Sequence, residues 1–115
     1  MTVGKRLTVA DYEKALRGAL GQCTVTLHEF FDGTMGDYDP KTYAIRLDPH
    51  WGALIPTLIH ELMHHVHYHK LAGMGEMEEP TTEAWEAAVS ANIFKSPRKE
   101  AWWRKALHAK IKEGE

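Results

Sequence analysis

Residues Leu58 to His69 constrain the fold of this chain most, because this stretch is amphipathic only as an α-helix. It reads LIHELMHHVHYH and contains five of the eight histidines. At ~100° per residue, four apolar side chains share one side of such a helix. They are Ile59, Leu62, Met63 and Val66. His60, Glu61 and His64 lie on the other side, so the helix has an apolar back for a core and a polar front for a cleft.

The polar front spells HExxH, the pattern in which two histidines one helical turn apart bind a single zinc ion. His60 and His64 are the predicted ligands, and Glu61 is the predicted general base, which takes a proton from water. A catalytic zinc site also needs a third protein ligand and one position open to water. The motif therefore predicts one Zn2+ per chain in a hydrolytic site.

Two glutamates downstream of the motif are candidates for the third ligand, and both lie on the next predicted helix. Relative to the apolar stripe of that helix, Glu86 falls ~60° and Glu83 ~120° from the centre. Ser90, one turn after Glu86, could hydrogen-bond a ligand histidine. Glu86 is therefore the preferred third ligand, and Glu83 is the alternative.

Some side chains near the motif are candidates for stabilising an oxyanion. They are His67, Tyr38 and Tyr68. His67 lies ~10 Å along the helix axis from His60, too far for both to join His64 on one ion, and we predict that it lies at the surface. His65 and His69 point away from the site and are predicted to be solvated.

Upstream of the motif, the sequence predicts one helix and two strands. Thr8 caps a helix through VADYEKALRGALG, with Asp11 at the third position after the cap and Gly21 just past the end. The segments CTVTLHEF and TYAIRL alternate apolar and polar side chains, and the turn-forming segment DYDPKT leads into the second. We predict that these two strands form a small antiparallel sheet.

Three helices are predicted from the motif onward. Pro56 lies in the first turn of the active-site helix, which runs to about Lys70. The next helix begins between residues 80 and 82 and ends near Pro97, and the last segment, RKEAWWRKALHAKIKEGE, is amphipathic. The predicted fold class is α+β, with residues 1–115 as a single domain. A small antiparallel sheet packs on the active-site helix, and the C-terminal helices follow.

Composition argues against several classes of function. A formal net charge of -2 and a pI near 6.4 give no positive field for nucleic acid or an anionic membrane. No stretch approaches the ~18 apolar residues of a membrane span. Cys23 is the single cysteine, and the N-terminal residues lack the apolar segment of a secretory signal. We therefore expect a cytoplasmic protein whose partner is neither nucleic acid nor a membrane.

The motif and the helix after it resemble those of minimal gluzincins, most closely the small ImmA/IrrE-type metallopeptidases of phages and mobile elements. The resemblance covers roughly residues 36–97. GDYDPKTYAIRLDP resembles the hairpin that flanks the substrate, TLIHELMHH the active-site helix, and TEAWEAAVSANIFKSP the helix of the third ligand. The ending ANIFKSP differs from the apolar LLMP-type ending of the family, so the third ligand stays open between the two glutamates.

This resemblance implies a zincin-like domain and an endopeptidase that cleaves a protein, often a regulatory one, through zinc-activated water. An edge strand at residues 43–47 is expected to hold an extended protein or peptide substrate by strand addition. The alternative is a catalytically silent zinc-binding interaction module with a zincin-like fold. Glu61 argues against this alternative, because a structural zinc site needs no base.

The terminal helix raises a further possibility, the docking of a partner protein. It is basic, and it carries the adjacent residues Trp102 and Trp103, whose rings point ~100° apart. One tryptophan is predicted to be in the core and the other to be exposed, which suits a docking surface. The simpler alternative is a solvated charged face over a packed helix.

Overall fold

The computed structural model describes residues 8–51, 54–69 and 78–114, which form an α+β fold. In chain order its helices and strands are α1 (Val9–Gln22), β1 (Thr24–Leu27), β2 (Gly36–Asp39), β3 (Ala44–Leu47), α2 (Leu54–His69), α3 (Glu78–Phe94) and α4 (Pro97–Gly114). A short 3-10 helix, Pro49–Trp51, follows β3. None of the helices in these ranges combines the length and the apolar character that a membrane span requires.

The N-terminus of α1 is fixed by the predicted reciprocal cap. The Asp11 backbone amide donates to Thr8 Oγ1 at 3.1 Å, and the Thr8 amide donates to Asp11 Oδ2 at 2.9 Å. Two amides that lack a partner within the helix are satisfied in this way. The helix continues through Gly21, predicted to lie just past its end, to Gln22.

The sheet is mixed, so the prediction of an antiparallel pair is wrong. Its strand order is β1-β3-β2, with β1 parallel to β3 and β2 antiparallel to β3. The segment DYDPKT, predicted from its residues as a turn and through the resemblance as part of a hairpin, supplies part of β2 before the chain reverses. The chain reverses once between β1 and β2 and again in the hairpin between β2 and β3. β3 therefore runs in the same direction as β1. Tyr43 closes this hairpin with a φ of 58°.

The outer edge of β1 is covered by the end of α4. Thr24 and His28 donate their amides to carbonyls of Tyr43 and Leu47, so the Val25 carbonyl between them points to the outer edge. A Cβ added to Gly114 would lie 2.8 Å from that carbonyl oxygen. α4 therefore packs directly against this edge.

The opposite edge of the sheet is β2. The segment 43–47 is expected from its sequence to be an edge, but its residues 44–47 form the central strand β3. The Asp48 amide donates to the Met35 carbonyl at 2.9 Å. Hydrogen-bonded pairs alternate along an antiparallel ladder, so the next pairs fall at Asp37 and Asp39. The backbone groups of Gly36 and Tyr38 consequently point away from β3.

The apolar side of α2 lies at the centre of the core, as predicted. Its buried side chains are Ile55, Leu58, Ile59, Leu62, Met63 and Val66. The same cluster includes Val25, Ile45 and Leu47 from the sheet and Leu16, Val89, Ile93 and Trp103 from the other helices. Burying one such aliphatic side chain contributes about 1.5–3 kcal/mol, so α2 is held chiefly by its back.

The two adjacent tryptophans of α4 divide as predicted. Trp103 is fully buried, whereas Trp102 is 38% exposed. The exposed ring is nevertheless in contact within the chain, because the Arg17 guanidinium lies 4.2 Å from its centroid. Arg17 also binds the buried Glu13 carboxylate at 2.7 Å, and Lys99 reaches the same carboxylate at 3.2 Å. These contacts join α1 to α4.

Gly36 is a point of close approach between β2 and α2. A Cβ at this position would lie 2.7 Å from Thr57 Cγ2 and 2.9 Å from the Arg46 carbonyl oxygen. Gly36→Ala is therefore expected to lower the free energy of unfolding by about 1–3 kcal/mol through overpacking. Urea denaturation measures the change.

Gly18→Ala is the matched control for this substitution. Gly18 lies in α1, is exposed, and has no atom within 4 Å of an added Cβ. Alanine should stabilise the protein there by about 0.5–1 kcal/mol, since it replaces glycine inside a helix. If Gly36→Ala were as stable as the original protein, the close approach of β2 to α2 would be refuted.

Candidate metal centre and cleft

The two motif histidines face each other through the same ring nitrogen. His60 Nε2 lies 3.2 Å from His64 Nε2, and the ring centroids are 4.9 Å apart. Two nitrogens that bind one tetrahedral zinc at ~2.1 Å are ~3.4 Å apart. The separation of these nitrogens is therefore close to the one that a shared ion requires. It follows from the spacing of four residues on α2.

Glu61 lies beside this histidine pair and is 7% exposed. It lines both parts of an open cleft. The first part, about 430 Å³, is lined by Gly36, Asp37, Tyr38, Pro40, His60, Glu61, His64 and Tyr68. The second, about 270 Å³, is lined by Met35, Gly36, Pro56, Thr57, His60, Glu61 and Glu86. Glu61, the predicted base, thus lies at the junction of the two parts, next to His60 and His64.

Of the two third-ligand candidates, the structure brings Glu86 to the histidines. Its Oε1 lies 3.5 Å from His60 Nδ1, and it lines the second part of the cleft. Glu83 is exposed on the surface of α3. Ser90 does not make the predicted bond to a histidine, because its buried Oγ has no partner within the described ranges. This geometry favours Glu86 over Glu83.

The side chains present fit a zinc site in part. Within residues 8–51, 54–69 and 78–114, no three His, Cys, Asp or Glu side chains form a group that could hold a metal ion. The separation of the two Nε2 atoms suits a shared zinc, but Glu86 contacts the opposite nitrogen of His60. A carboxylate at that nitrogen is the usual partner that orients a ligand histidine. The donor set therefore fits zinc through His60 and His64, with Glu86 adjacent.

His65 is buried, so the prediction that it is solvated is wrong. It is 1% exposed, its Nε2 lies 2.8 Å from Gln22 Oε1, and its Nδ1 lies 2.5 Å from the Tyr38 hydroxyl. The ring of Tyr43 packs edge-on against it at 4.9 Å. Burial raises the pKa of the Tyr38 hydroxyl well above its ordinary value. Tyr38 thus lines the cleft with its hydroxyl bonded to His65.

His67 is also buried, which corrects the prediction that it lies at the surface. Its Nδ1 lies 2.9 Å from Thr82 Oγ1, and its Nε2 lies 3.3 Å from the Tyr12 hydroxyl. The ring of Tyr12 in turn stacks on Trp85 at 4.2 Å. His67 therefore joins α1, α2 and α3 and is not among the residues that line the cleft.

Tyr38 and Tyr68 both line the first part of the cleft, but the Tyr38 hydroxyl is bonded to His65, which leaves Tyr68 as the oxyanion candidate there. Tyr68 is the more exposed, at 54%. The prediction that His69 is solvated falls on a side chain outside the described residues. Of the three oxyanion candidates, His67 is thus the one that the structure places elsewhere.

Sequence reasoning missed the roles of His65 and His67, although their positions on the helix contain a signal. Viewed along α2, His67 falls ~90° and His65 ~110° from the centre of the apolar side, on opposite flanks. Flank positions become buried when neighbouring elements pack on both sides of a helix. Here α3 contacts one flank through Thr82, and β2 contacts the other through Tyr38.

Comparison with models of protein families, with curated proteins and with solved structures gives no match to this chain.

Thr82→Val tests the buried environment of His67. The substitution removes the oxygen that lies 2.9 Å from His67 Nδ1 in a fully buried position. An unsatisfied buried polar group costs about 1–3 kcal/mol, so the free energy of unfolding should fall by that amount. Chemical denaturation gives the value. Thr42→Val, at an exposed position before β3, is the control and should change stability by less than ~0.5 kcal/mol.

Proposed function

We propose that this protein is a zinc-dependent metallopeptidase, an endopeptidase that cleaves a protein or peptide substrate. The observation that carries the proposal is the pair of Nε2 atoms, 3.2 Å apart, with Glu61 beside them at the junction of an open cleft. A catalytically silent zinc-binding module would use the histidines but has no need of the glutamate. The proposed family is the zincin-like gluzincin type.

His60 and His64 would hold the metal through Nε2. Glu86 is the preferred third ligand because it lines the cleft with His60 and Glu61. Its contact with His60 Nδ1 is the kind that orients a ligand histidine, so ligation would require its carboxylate to leave that nitrogen. Zinc in such a site supplies a Lewis acid, which polarises a carbonyl and acidifies a water molecule. The Glu61 carboxylate accepts a proton from the attacking water and then delivers it to the nitrogen of the leaving amine. The low exposure of Glu61 limits competition from bulk solvent for this proton.

The substrate would bind along β2, the edge strand that lines the cleft. The backbone groups of Gly36 and Tyr38 point away from β3, and both residues line the cleft with the histidines. An extended peptide that adds to a sheet edge is held by its main chain, with alternate side chains directed to pockets. Strand addition at β2 would therefore place a peptide bond next to Glu61.

Zinc content and peptide hydrolysis together test the proposed function. Purified protein should contain one zinc per chain and should cleave a mixture of random-sequence decapeptides. His64→Ala is expected to lose the metal. Glu61→Gln should keep it and lose at least ~100-fold in the rate of hydrolysis, as expected for removal of a general base. Elemental analysis and mass spectrometry of the products give the two readouts.

Glu86→Ala and Glu83→Ala form a matched pair within this experiment. Both remove a carboxylate from α3, and only Glu86 contacts His60. Glu86→Ala should therefore weaken zinc binding, whereas Glu83→Ala should bind as the original protein does. Protein without stoichiometric metal would refute the zinc site. Stoichiometric zinc with no hydrolysis of any decapeptide would instead support the silent binding module.

Backbone-methylated peptides test binding by strand addition. N-methylation of one amide in a cleaved decapeptide removes a donor to β2 only where that amide faces the strand. We expect the value of kcat/KM to fall at alternate positions, by roughly tenfold for each lost hydrogen bond. A series scanned along the peptide measures the pattern. A uniform effect at all positions would argue against pairing with β2.

A further inference from the structure

Hydrogen bonds link Tyr38, His65 and Gln22 in one chain. Gln22 Oε1 is an amide oxygen, which accepts, and it pairs with the neutral His65 tautomer whose proton is on Nε2. His65 Nδ1 is then the acceptor, and the Tyr38 hydroxyl donates to it. The hydroxyl proton of Tyr38 is therefore directed to the flank of α2.

This bond attaches β2 to α2 on one side of the predicted base. Thr57, Glu61 and His65 are spaced four residues apart, so they form one row along α2. At one end of the row, the Thr57 methyl group packs against Gly36. At the other end, His65 is hydrogen-bonded to Tyr38. Glu61 lies between these two points of attachment.

We propose that Tyr38 is a positioning residue, which acts through His65 and Gln22 to hold β2 beside Glu61 in the register that an extended substrate needs. This inference rests on the proposed function. β2 is a four-residue edge strand that pairs with β3 on one side, and short edge strands open easily. The bond to a fully buried side chain of α2 counteracts that opening.

The chain offers a matched control for this role. The Tyr12 hydroxyl bonds the other buried histidine of α2, His67, at 3.3 Å. Tyr12→Phe therefore removes the same group from the same kind of partner, but Tyr12 lies on α1 and is not among the residues that line the cleft. A loss of activity or of amide protection that is common to Tyr12→Phe and Tyr38→Phe reports lower stability. A loss confined to Tyr38→Phe reports a change in the position of β2.

The first readout is steady-state hydrolysis of the decapeptide that the original protein cleaves fastest. If β2 is ordered for only a fraction of the time, the apparent affinity for the peptide falls by that fraction. Tyr38→Phe should therefore raise KM about tenfold and change kcat less than ~2-fold. Tyr12→Phe should leave KM unchanged, because loss of folded protein lowers only the amount of active enzyme. Both variants should retain one zinc.

The second readout is hydrogen exchange of the Asp37 and Asp39 amides, the β2 amides that face β3, in metal-free protein, which requires no catalytic activity. These amides should exchange about tenfold faster in Tyr38→Phe than in Tyr12→Phe, as expected for local opening of an edge strand. Equal exchange and equal KM in the two variants would overturn the inference and leave the proposed function standing. A wild-type protein with no zinc or no hydrolysis would overturn the proposed function, and exchange alone would then decide whether Tyr38 anchors β2.

Discussion

The fold depends on the burial of α2, because this helix has an apolar side that must be covered and histidines on both flanks of that side. Its back has to be covered, since six of its apolar side chains are buried. Covering it also buries His65 and His67, and a buried imidazole is costly unless both ring nitrogens are hydrogen-bonded. Partners from three other elements meet this requirement: Tyr12 and Gln22 on α1, Tyr38 on β2 and Thr82 on α3. The same contacts determine how these elements sit around the polar front.

The sequence predicts the helices well because their signals are local. The Thr8 cap, the apolar back of α2 and Pro97 at the break between α3 and α4 each act within a few residues, and each is found in the structure. The sheet is a different case, because alternation of apolar and polar side chains predicts a strand but not its direction or neighbours. β2 is partly exposed along its length, so it lacks that alternation and resembles a turn. Without β2, the parallel pairing of β1 with β3 could not be predicted.

The features of the candidate site likewise fall into two groups, those set by local helical spacing and those set by tertiary contacts. The distance between His60 Nε2 and His64 Nε2 follows from helical spacing, and the proximity of Glu86 to His60 follows from its angle to the apolar stripe of α3. The partners of His65 and His67 come from segments 15 to 55 positions away in sequence, and helical periodicity contains no information about them. Angles around one helix therefore predict the front of the site, while the residues that support it depend on the tertiary fold.

The covering of β1 by the end of α4 has a consequence for self-association. Of the three described strands, β1 and β2 form the two edges of the sheet, and Gly114 packs against the backbone of β1. The sheet can therefore be extended only at β2, where an added strand would lie in the cleft. Two molecules that joined through their sheets would each obstruct the other's cleft, so edge-to-edge assembly and peptide binding would be mutually exclusive. Dilution would then favour the open form of the cleft.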